Sequence, residues 1–151
     1  MISVSQSDAN TEKWQLFLTQ IFPEKSEVIK QPLKILLVDD SLMDQIIAGE
    51  MLRKLGHEVA VAGNGAEAIQ AIEHKYYDLL IMDVHMPEMD GLQAARHIRN
   101  RYGELIRIIF ATGSPPDIYR EMCFDAGGDD FMTKPLTIAR LRAAIDLAMR
   151  R

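Results

Sequence analysis

Five polar side chains stand where apolar runs of the chain end. Asp39 and Asp40 close the run KILLVDD, and Asp83 closes DLLIMD. Thr112 lies near the end of RIIFATG, and Lys134 follows the last short apolar run. Three carboxylates packed together raise one another's pKa unless a positive charge lies among them. A divalent cation held by carboxylates, water and phosphate oxygens would supply that charge, so the set indicates cation-assisted chemistry on a phosphate group.

Each of these residues alone has a structural explanation. Asp40 or Ser41 could cap a helix, and Lys134 could neutralise a nearby acid. All five at consecutive strand ends are harder to explain in this way. Phosphoryl transfer needs a positioned nucleophile and neutralised charge on the equatorial oxygens, and an aspartate, a cation, a lysine and a threonine supply both.

The elements that must position these side chains alternate along the chain. Short Val/Ile/Leu-rich runs predict strands, and segments with helical spacing follow each of them. The strands are predicted at 34–40, 58–63, 78–83, 107–113 and 130–133, and the helices at 43–55, 65–74, 92–102, 116–126 and 137–149. This order predicts an α/β fold, a doubly wound, five-stranded parallel sheet covered on both faces. Chemistry in such sheets collects beyond the carboxyl ends of the strands.

Length and composition exclude several classes of protein. The 151 residues are 48% apolar and 26% charged, which fits one domain with a short tail or linker. A net charge of −5 argues against direct nucleic-acid binding. No apolar run reaches the roughly 18 residues of a membrane span, and the start lacks the features of a signal peptide. With a single cysteine, Cys123, the chain suits a reducing compartment, so we expect a cytoplasmic protein with no membrane segment.

The first 32 residues differ from the rest of the chain. Trp14, Phe17, Leu18 and Ile21 follow the spacing of one helical stripe, and Pro23 should end that helix. A stripe of two turns cannot fold alone, so it must dock on something. We therefore divide the chain into an N-terminal extension or linker with a short amphipathic helix, residues 1–32, and a domain, residues 33–151.

The domain resembles the receiver domain of two-component response regulators. Four segments carry the resemblance: LLVDD (36–40), LLIMDVHMPEMDGL (79–92), FATG (110–113) and DDFMTKP (129–135). The resemblance implies a CheY-like fold with flavodoxin-like strand order 2-1-3-4-5 and a cis Lys134–Pro135 bond. It also implies a phosphorylation-dependent switch with Mg²⁺ as cofactor, which is not an enzyme apart from its own phosphorylation and dephosphorylation.

The resemblance also implies a role for each site residue. Asp83 resembles the phosphoacceptor, and Asp39, Asp40, Asp83 and the backbone carbonyl of His85 resemble the Mg²⁺ ligands. Lys134 resembles the lysine that pairs with the phosphoryl group. Thr112 resembles the switch hydroxyl, and Phe131 takes the aromatic switch position, where it would act by packing alone because it has no hydroxyl. His85 and Ser114, each two residues beyond a site residue, are candidates for tuning dephosphorylation.

The resemblance implies protein partners. A histidine kinase or a histidine phosphotransfer protein would donate the phosphoryl group. No stretch of domain size follows the last predicted helix, so we expect the signal to leave through protein contacts. The family expectation is the face of the fourth helix, fifth strand and fifth helix, which could also form a homodimer. The sequence leaves open a direct target, transfer to a phosphotransfer protein, or the terminal receiver of a hybrid kinase.

Two other interpretations use parts of the same pattern. GNGAEA (63–68) matches a dinucleotide-binding fingerprint, but it follows the second predicted strand and not the first. A phosphohydrolase of the haloacid dehalogenase type would also use an aspartyl phosphate. That family needs a second acid two residues after the nucleophile, where this chain has His85, and it leaves Asp39 and Asp40 unexplained.

Overall fold

The computed structural model describes Lys13 and residues 32–150. Within residues 32–150, five strands alternate with five helices. The strands are β1 (Lys34–Val38), β2 (Glu58–Ala62), β3 (Leu79–Met82), β4 (Arg107–Thr112) and β5 (Asp130–Thr133). The helices are α1 (Leu42–Lys54), α2 (Gly65–His74), α3 (Gly91–Tyr102), α4 (Pro116–Asp125) and α5 (Ile138–Met149). The alternation and its positions confirm the elements predicted from the sequence.

All five strands of the described chain are parallel, in the order β2-β1-β3-β4-β5. β1 and β3 are therefore neighbours in the middle of the sheet, and their last residues, Val38 and Met82, are paired. β4 pairs with β3 on one side and with β5 on the other. The predicted doubly wound α/β fold with strand order 2-1-3-4-5 is confirmed, and the carboxyl ends of the strands meet at one edge.

Apolar residues of β1, β3 and β4 are buried on both faces of the sheet. One face carries alternate residues such as Leu36, Leu80 and Phe110, which pack with side chains from α2, α3 and α4 into a large hydrophobic core cluster. The intervening residues, such as Leu37 and Ile81, are also buried and point to the opposite face. Helices α1 and α5 contact each other and the sheet there. Burial on both faces explains why the strands are apolar runs and do not alternate.

Side chains fix the starts of four helices. Ser41, Asn64, Asp90 and Thr137 each accept a hydrogen bond from a backbone N–H in the first turn of α1, α2, α3 and α5. Asn64 caps α2 by accepting the amide of Glu67 at 2.9 Å. The carboxylate of Glu67, however, accepts the amide of Gly63 at 3.3 Å, one residue before the position that a capping box would use. A side-chain oxygen at each start satisfies a donor that the helix leaves unpaired.

The predicted amphipathic helix at Trp14, Phe17, Leu18 and Ile21 lies outside the described residues. Among the residues that are described, no helix has the length and apolar character that crossing a membrane requires.

His57 links the chain before β1 to the start of β2. The amide of Leu33 donates to His57 Nδ1 at 3.1 Å, and the ring is 7% exposed. Burial lowers the pKa of His57 below its ordinary value of 6.5. The neutral ring therefore contributes stability above pH 6.5, and this stability is lost as the pH falls and the unfolded chain takes up a proton first.

We predict that the free energy of unfolding falls between about pH 7.5 and pH 5.5, and that His57→Asn reduces this fall. Asparagine keeps an acceptor for Leu33 but does not titrate. Urea denaturation at both pH values measures the effect. His97→Asn, which replaces an exposed histidine on α3, is the matched control and should keep the wild-type pH dependence. An equal fall in wild type and His57→Asn would assign the acid sensitivity to other groups.

Candidate functional site

The strand register brings two aspartates to the middle of the sheet edge. Asp39 and Asp83 directly follow β1 and β3, whose ends are paired through Val38 and Met82. The amide of Asp83 donates to the carbonyl of Val38 at 2.9 Å, and the amide of Asp39 donates to the carbonyl of Ala62 at 3.0 Å. Both aspartates thus continue the ladder by one step, and their side chains lie next to each other because the strands do.

Asp39, Asp40 and Asp83 form a carboxylate cluster. One carboxylate oxygen of each lies within 4.8 Å of those of the other two. Asp39 is 4% exposed and Asp40 is exposed, so the cluster is walled on one side and open to solvent on the other. Hard oxygen donors with an open side match the chemistry of a divalent cation that keeps some of its water. The residues therefore fit Mg²⁺, and these three carboxylates would hold it.

The two inner aspartates use one oxygen each for backbone amides. Asp39 Oδ1 accepts the amide of Ser41 at 2.9 Å. Asp83 Oδ1 accepts the amide of Val84 at 2.7 Å and that of His85 at 3.4 Å. The second oxygen of each carboxylate, Oδ2, accepts from the ammonium of Lys134. These amides fix the rotamers of both side chains before any ligand is bound.

The ammonium of Lys134 lies among these carboxylates at the edge of the sheet. Its Nζ is 2.6 Å from Asp39 Oδ2, 2.8 Å from Asp44 Oδ2 and 3.2 Å from Asp83 Oδ2. Burial lowers the pKa of Lys134, but the hydrogen bonds to Asp39 and Asp44 and the charges of Asp83 and Asp39 raise it by more, so the pKa lies above its ordinary value. The lysine is therefore charged at neutral pH. Each of its three N–H donors has a carboxylate to face.

Burial and ion pairing act on Asp39 in opposite directions. Burial raises the pKa of the Asp39 carboxyl, and hydrogen bonds from Lys134 and from the amide of Ser41 offset only part of that rise. The nearby charge of Asp83 raises the pKa further. One ammonium contacts three carboxylates and Asp40 adds a fourth, so the site is short of positive charge, which a divalent cation would supply.

Backbone contacts hold Lys134 and Thr112 at the same edge. The amide of Lys134 donates to the carbonyl of Thr112 at 2.8 Å, one step beyond the paired residues Thr112 and Thr133. Thr112 is 1% exposed, and its hydroxyl oxygen accepts the amide of Ser114 at 3.3 Å. The Lys134–Pro135 bond is cis, as the resemblance implies. The end of β4 and the loop after β5 are thereby fixed against each other.

The remaining predicted residues surround the cluster. Phe131 is 8% exposed and is paired in register with Phe110, within the large core cluster. His85 is exposed, and its ring meets the ring of Tyr119 on α4 edge-on, with centroids 4.7 Å apart. The assignment of the His85 carbonyl as a metal ligand, and of His85 and Ser114 as tuning residues, stays a prediction.

The start of α3 lies directly against the backbone of Asp83, the candidate phosphoacceptor. The amide of Gly91 donates to the carbonyl of Val84 at 2.9 Å. A Cβ atom at Gly91 would overlap the carbonyl oxygen of Asp83, so only glycine permits this approach. The preceding Asp90 caps α3 through a capping box with Gln93. Within the segment MPEMDGL (86–92), Gly91 therefore lets α3 begin in close contact with the backbone of Asp83.

Asp44 is the site residue that the sequence did not reveal. It lies in the first turn of α1, where its amide donates to the hydroxyl of Ser41 at 3.3 Å and its carboxylate reaches Lys134. An acid in the first turn of a helix is ordinary, because it faces the positive end of the helix dipole. Its place three residues after the cap, on the turn that follows Asp39 and Asp40, is the signal that could have identified it.

GNGAEA (63–68) begins directly after Ala62, whose carbonyl accepts the amide of Asp39. Gly65 begins α2 after β2, which is an edge strand of the sheet. The amide of Gly65 donates to the carbonyl of Met89 at 3.0 Å, and a Cβ atom there would lie 2.7 Å from that oxygen. The glycine thus allows α2 to approach the loop before α3 closely, which accounts for it without a nucleotide.

Comparison with proteins of known sequence agrees with this geometry. The model of the response regulator receiver domain matches residues 35–146. Hybrid signal transduction histidine kinase K of Dictyostelium discoideum is 36% identical over 124 residues, covering 77% of this chain and 10% of that protein. Transcriptional regulatory protein PdtaR of Mycobacterium tuberculosis is 36% identical over 121 residues, covering 80% of this chain and 58% of that protein. The chain thus spans only part of the length of these relatives.

Solved structures give the same result. The receiver domain of sensor histidine kinase PA1611 from Pseudomonas aeruginosa PAO1 has a TM-score of 0.74 and 33% identity, covering 80% of this chain and all of that one; it holds a magnesium ion coordinated in its active site cleft. The receiver domain of Ssk1, crystallised with the histidine phosphotransfer protein Ypd1 of Saccharomyces cerevisiae, has a TM-score of 0.72 and 26% identity over 78% of this chain and 88% of that one. The chain described here belongs to the response regulator receiver domain family.

Proposed function

We propose that this receiver domain accepts a phosphoryl group on Asp83 in a Mg²⁺-dependent reaction and acts as a phosphorylation-controlled switch in a phosphorelay. The observation that carries the proposal is the edge of the sheet itself. Lys134 Nζ lies 3.2 Å from Asp83 Oδ2, beside three carboxylates whose oxygens lie within 4.8 Å of one another. This arrangement offers a nucleophile, a cation site and a fixed positive charge at one point.

Asp83 is the nucleophile. Its Oδ1 is held by the amides of Val84 and His85, so Oδ2 is the oxygen turned toward the ammonium of Lys134. Oδ2 forms the bond to phosphorus while the phosphorus–nitrogen bond of a phosphohistidine donor breaks. The imidazole leaves with the electron pair of that bond, and Asp83 becomes an acyl phosphate.

The positive charges of the site offset the charge of the phosphoryl oxygens. When bound by Asp39, Asp40 and Asp83, Mg²⁺ supplies charge neutralisation on those oxygens. Lys134 exchanges a carboxylate partner for a phosphoryl oxygen, because its Nζ already lies beside the acceptor. Its raised pKa keeps the ammonium protonated throughout.

Thr112 and Phe131 form the switch. The Thr112 hydroxyl, which accepts the amide of Ser114, rotates to donate to a phosphoryl oxygen. Phe131 pairs with Phe110 on the neighbouring strand and has no hydroxyl to report its position, so the readout is a change of packing. The change reaches the face of α4, β5 and α5, where we place the downstream protein contact and a homodimer interface.

The switch resets by attack of water on the acyl phosphate. His85 and Ser114, two residues beyond Asp83 and Thr112, tune the rate of that attack. The chain thus handles its own phosphoryl group and turns over no metabolite. In this proposal residues 33–151 form the receiver, and residues 1–32 are an extension or linker.

A surface on α1 supports a protein as the phosphoryl donor. Leu42, Met43, Ile46 and Ile47 are between 47% and 70% exposed, on the first two turns of the helix that follows Asp40. Clustered apolar side chains of this size are typical of protein contacts. Because the cluster lies beside the carboxylate edge, a histidine kinase or a histidine phosphotransfer protein that binds it would bring its phosphohistidine to Asp83.

The acceptor assignment predicts a change in mass. Incubation with acetyl phosphate and Mg²⁺ should add one phosphoryl group to the wild-type chain, and Asp83→Asn should abolish the addition, since an amide oxygen is a poor nucleophile. Intact-mass spectrometry measures it. Asp78→Asn, which changes a partly buried aspartate before β3, is the matched control and should still be labelled. Labelling that persists in Asp83→Asn or in excess EDTA would contradict the proposal.

Removal of the ammonium should make stability depend on Mg²⁺. We expect Lys134→Met to lower the free energy of unfolding by about 1–3 kcal/mol without Mg²⁺, because buried Asp39 loses its charged partner. Saturating Mg²⁺ should stabilise this variant more than the wild type. Urea denaturation with and without Mg²⁺ measures both effects, with Lys54→Met, an exposed lysine of α1, as control. Equal stabilisation of wild type and Lys134→Met by Mg²⁺ would separate the lysine from the cation site.

The donor surface predicts a selective defect. Ile46→Lys should slow transfer from phosphorylated Ypd1, used as a donor probe, and leave labelling by acetyl phosphate unchanged, since a small donor needs no docking surface. Leu105→Lys, an exposed leucine just before β4 and away from the carboxyl edge, is the control. Equal slowing with both donors would mean that Ile46 affects the site and not docking.

A further inference from the structure

A carboxylate outside the Asp39, Asp40 and Asp83 cluster also pairs with the ammonium of Lys134. Asp44 Oδ2 lies 2.8 Å from Lys134 Nζ, closer than Asp83 Oδ2 at 3.2 Å. Asp44 comes from a helix, whereas Asp39 and Asp83 come from strand ends. Its side chain is 41% exposed, so the contact stands at the mouth of the site where a ligand would enter.

The three carboxylates that pair with Lys134 have different roles in the proposed chemistry. Asp39 is committed to the cation, and Asp83 loses its charge on Oδ2 when it takes the phosphoryl group. Asp44 is not among the described residues whose carboxylates form the three-membered cluster. Of the three carboxylates, Asp44 is therefore the one that stays charged and able to pair with Lys134 during both phosphorylation and dephosphorylation.

Asp44 must then oppose the incoming group. A phosphoryl oxygen can reach Lys134 only by competing with a carboxylate that already accepts from Nζ at 2.8 Å. The negative charge of Asp44 also repels a dianion and attracts a divalent cation at the same place. The charge of Asp44 therefore favours binding of the cation and disfavours binding of the phosphoryl anion at the same site.

We infer that Asp44 is a positioning residue, which holds Lys134 between α1 and the loop after β5 and sets the site in favour of the cation and against the anion. The inference rests on the proposed function for the identity of the anion. It makes α1 part of the charge balance of the site, so that a change in α1 alters the availability of Lys134.

The test is a pair of titrations on the full chain. Calorimetry with Mg²⁺ alone measures the cation, and ¹⁹F NMR with beryllofluoride at saturating Mg²⁺ measures the phosphoryl mimic. Asp44→Asn should weaken Mg²⁺ binding and tighten beryllofluoride binding, each by about three- to tenfold. Opposite shifts distinguish positioning from damage to the fold, which would weaken both.

Two control variants make the result specific. Glu50→Gln removes the same charge from the same helix, at a residue that pairs with Arg53 at 3.6 Å, and should change neither affinity by more than a small factor. Asp44→Glu keeps the charge and should restore the wild-type affinities. Shifts in Asp44→Asn that equal those of Glu50→Gln, or that have the same sign for both ligands, would overturn the inference.

The same experiment separates this inference from the proposed function. Wild-type chain that binds Mg²⁺ but no beryllofluoride would contradict phosphoryl acceptance on Asp83. The Mg²⁺ titration of Asp44→Asn would still test the role of Asp44, because it needs no anion. An unchanged Mg²⁺ affinity in that variant would reject the charge argument in either case.

Discussion

The structure depends on one electrostatic constraint, which is that three carboxylates share one ammonium at the edge of a parallel sheet, beside a fourth carboxylate. Asp39, Asp83 and Asp44 accept from Lys134 between 2.6 and 3.2 Å, and Asp40 completes the carboxylate cluster. Like charges at this distance are tolerable only when opposite charge lies among them. Lys134 supplies part of the opposite charge, and a divalent cation would supply the rest.

The strand ends, the loops and the start of α3 hold those charges in place at this edge. Strands β1 and β3 are neighbours and paired at their ends, so Asp39 and Asp83 lie side by side. The amide of Lys134 is bound to the carbonyl of Thr112, which fixes the lysine to the end of β4. Glycine at position 91 lets α3 begin against the backbone of Asp83. These contacts arrange the charges before a ligand arrives.

Much of this arrangement could be predicted from the sequence because it follows from periodicity. Buried parallel strands are apolar runs, and polar residues that directly follow them must lie at one edge; this gave Asp39, Asp83 and Lys134 without any structure. Asp44 escaped because an acid in a first helical turn has an ordinary explanation, and the contact to a lysine 90 residues away depends on how α1 packs. The burial of His57 escaped for the same reason, since its partner at Leu33 is set by tertiary contact.

The central claim is that the ammonium of Lys134 is the charge that the carboxylate edge shares with an incoming phosphoryl group. A crystal structure of the chain with Mg²⁺ and beryllofluoride tests it most directly. The account predicts beryllium bonded to Asp83 Oδ2, the metal held by Asp39, Asp40 and Asp83, and Lys134 Nζ within hydrogen-bond distance of a fluorine. Beryllofluoride on another side chain, or Lys134 paired only with carboxylates in that complex, would contradict it.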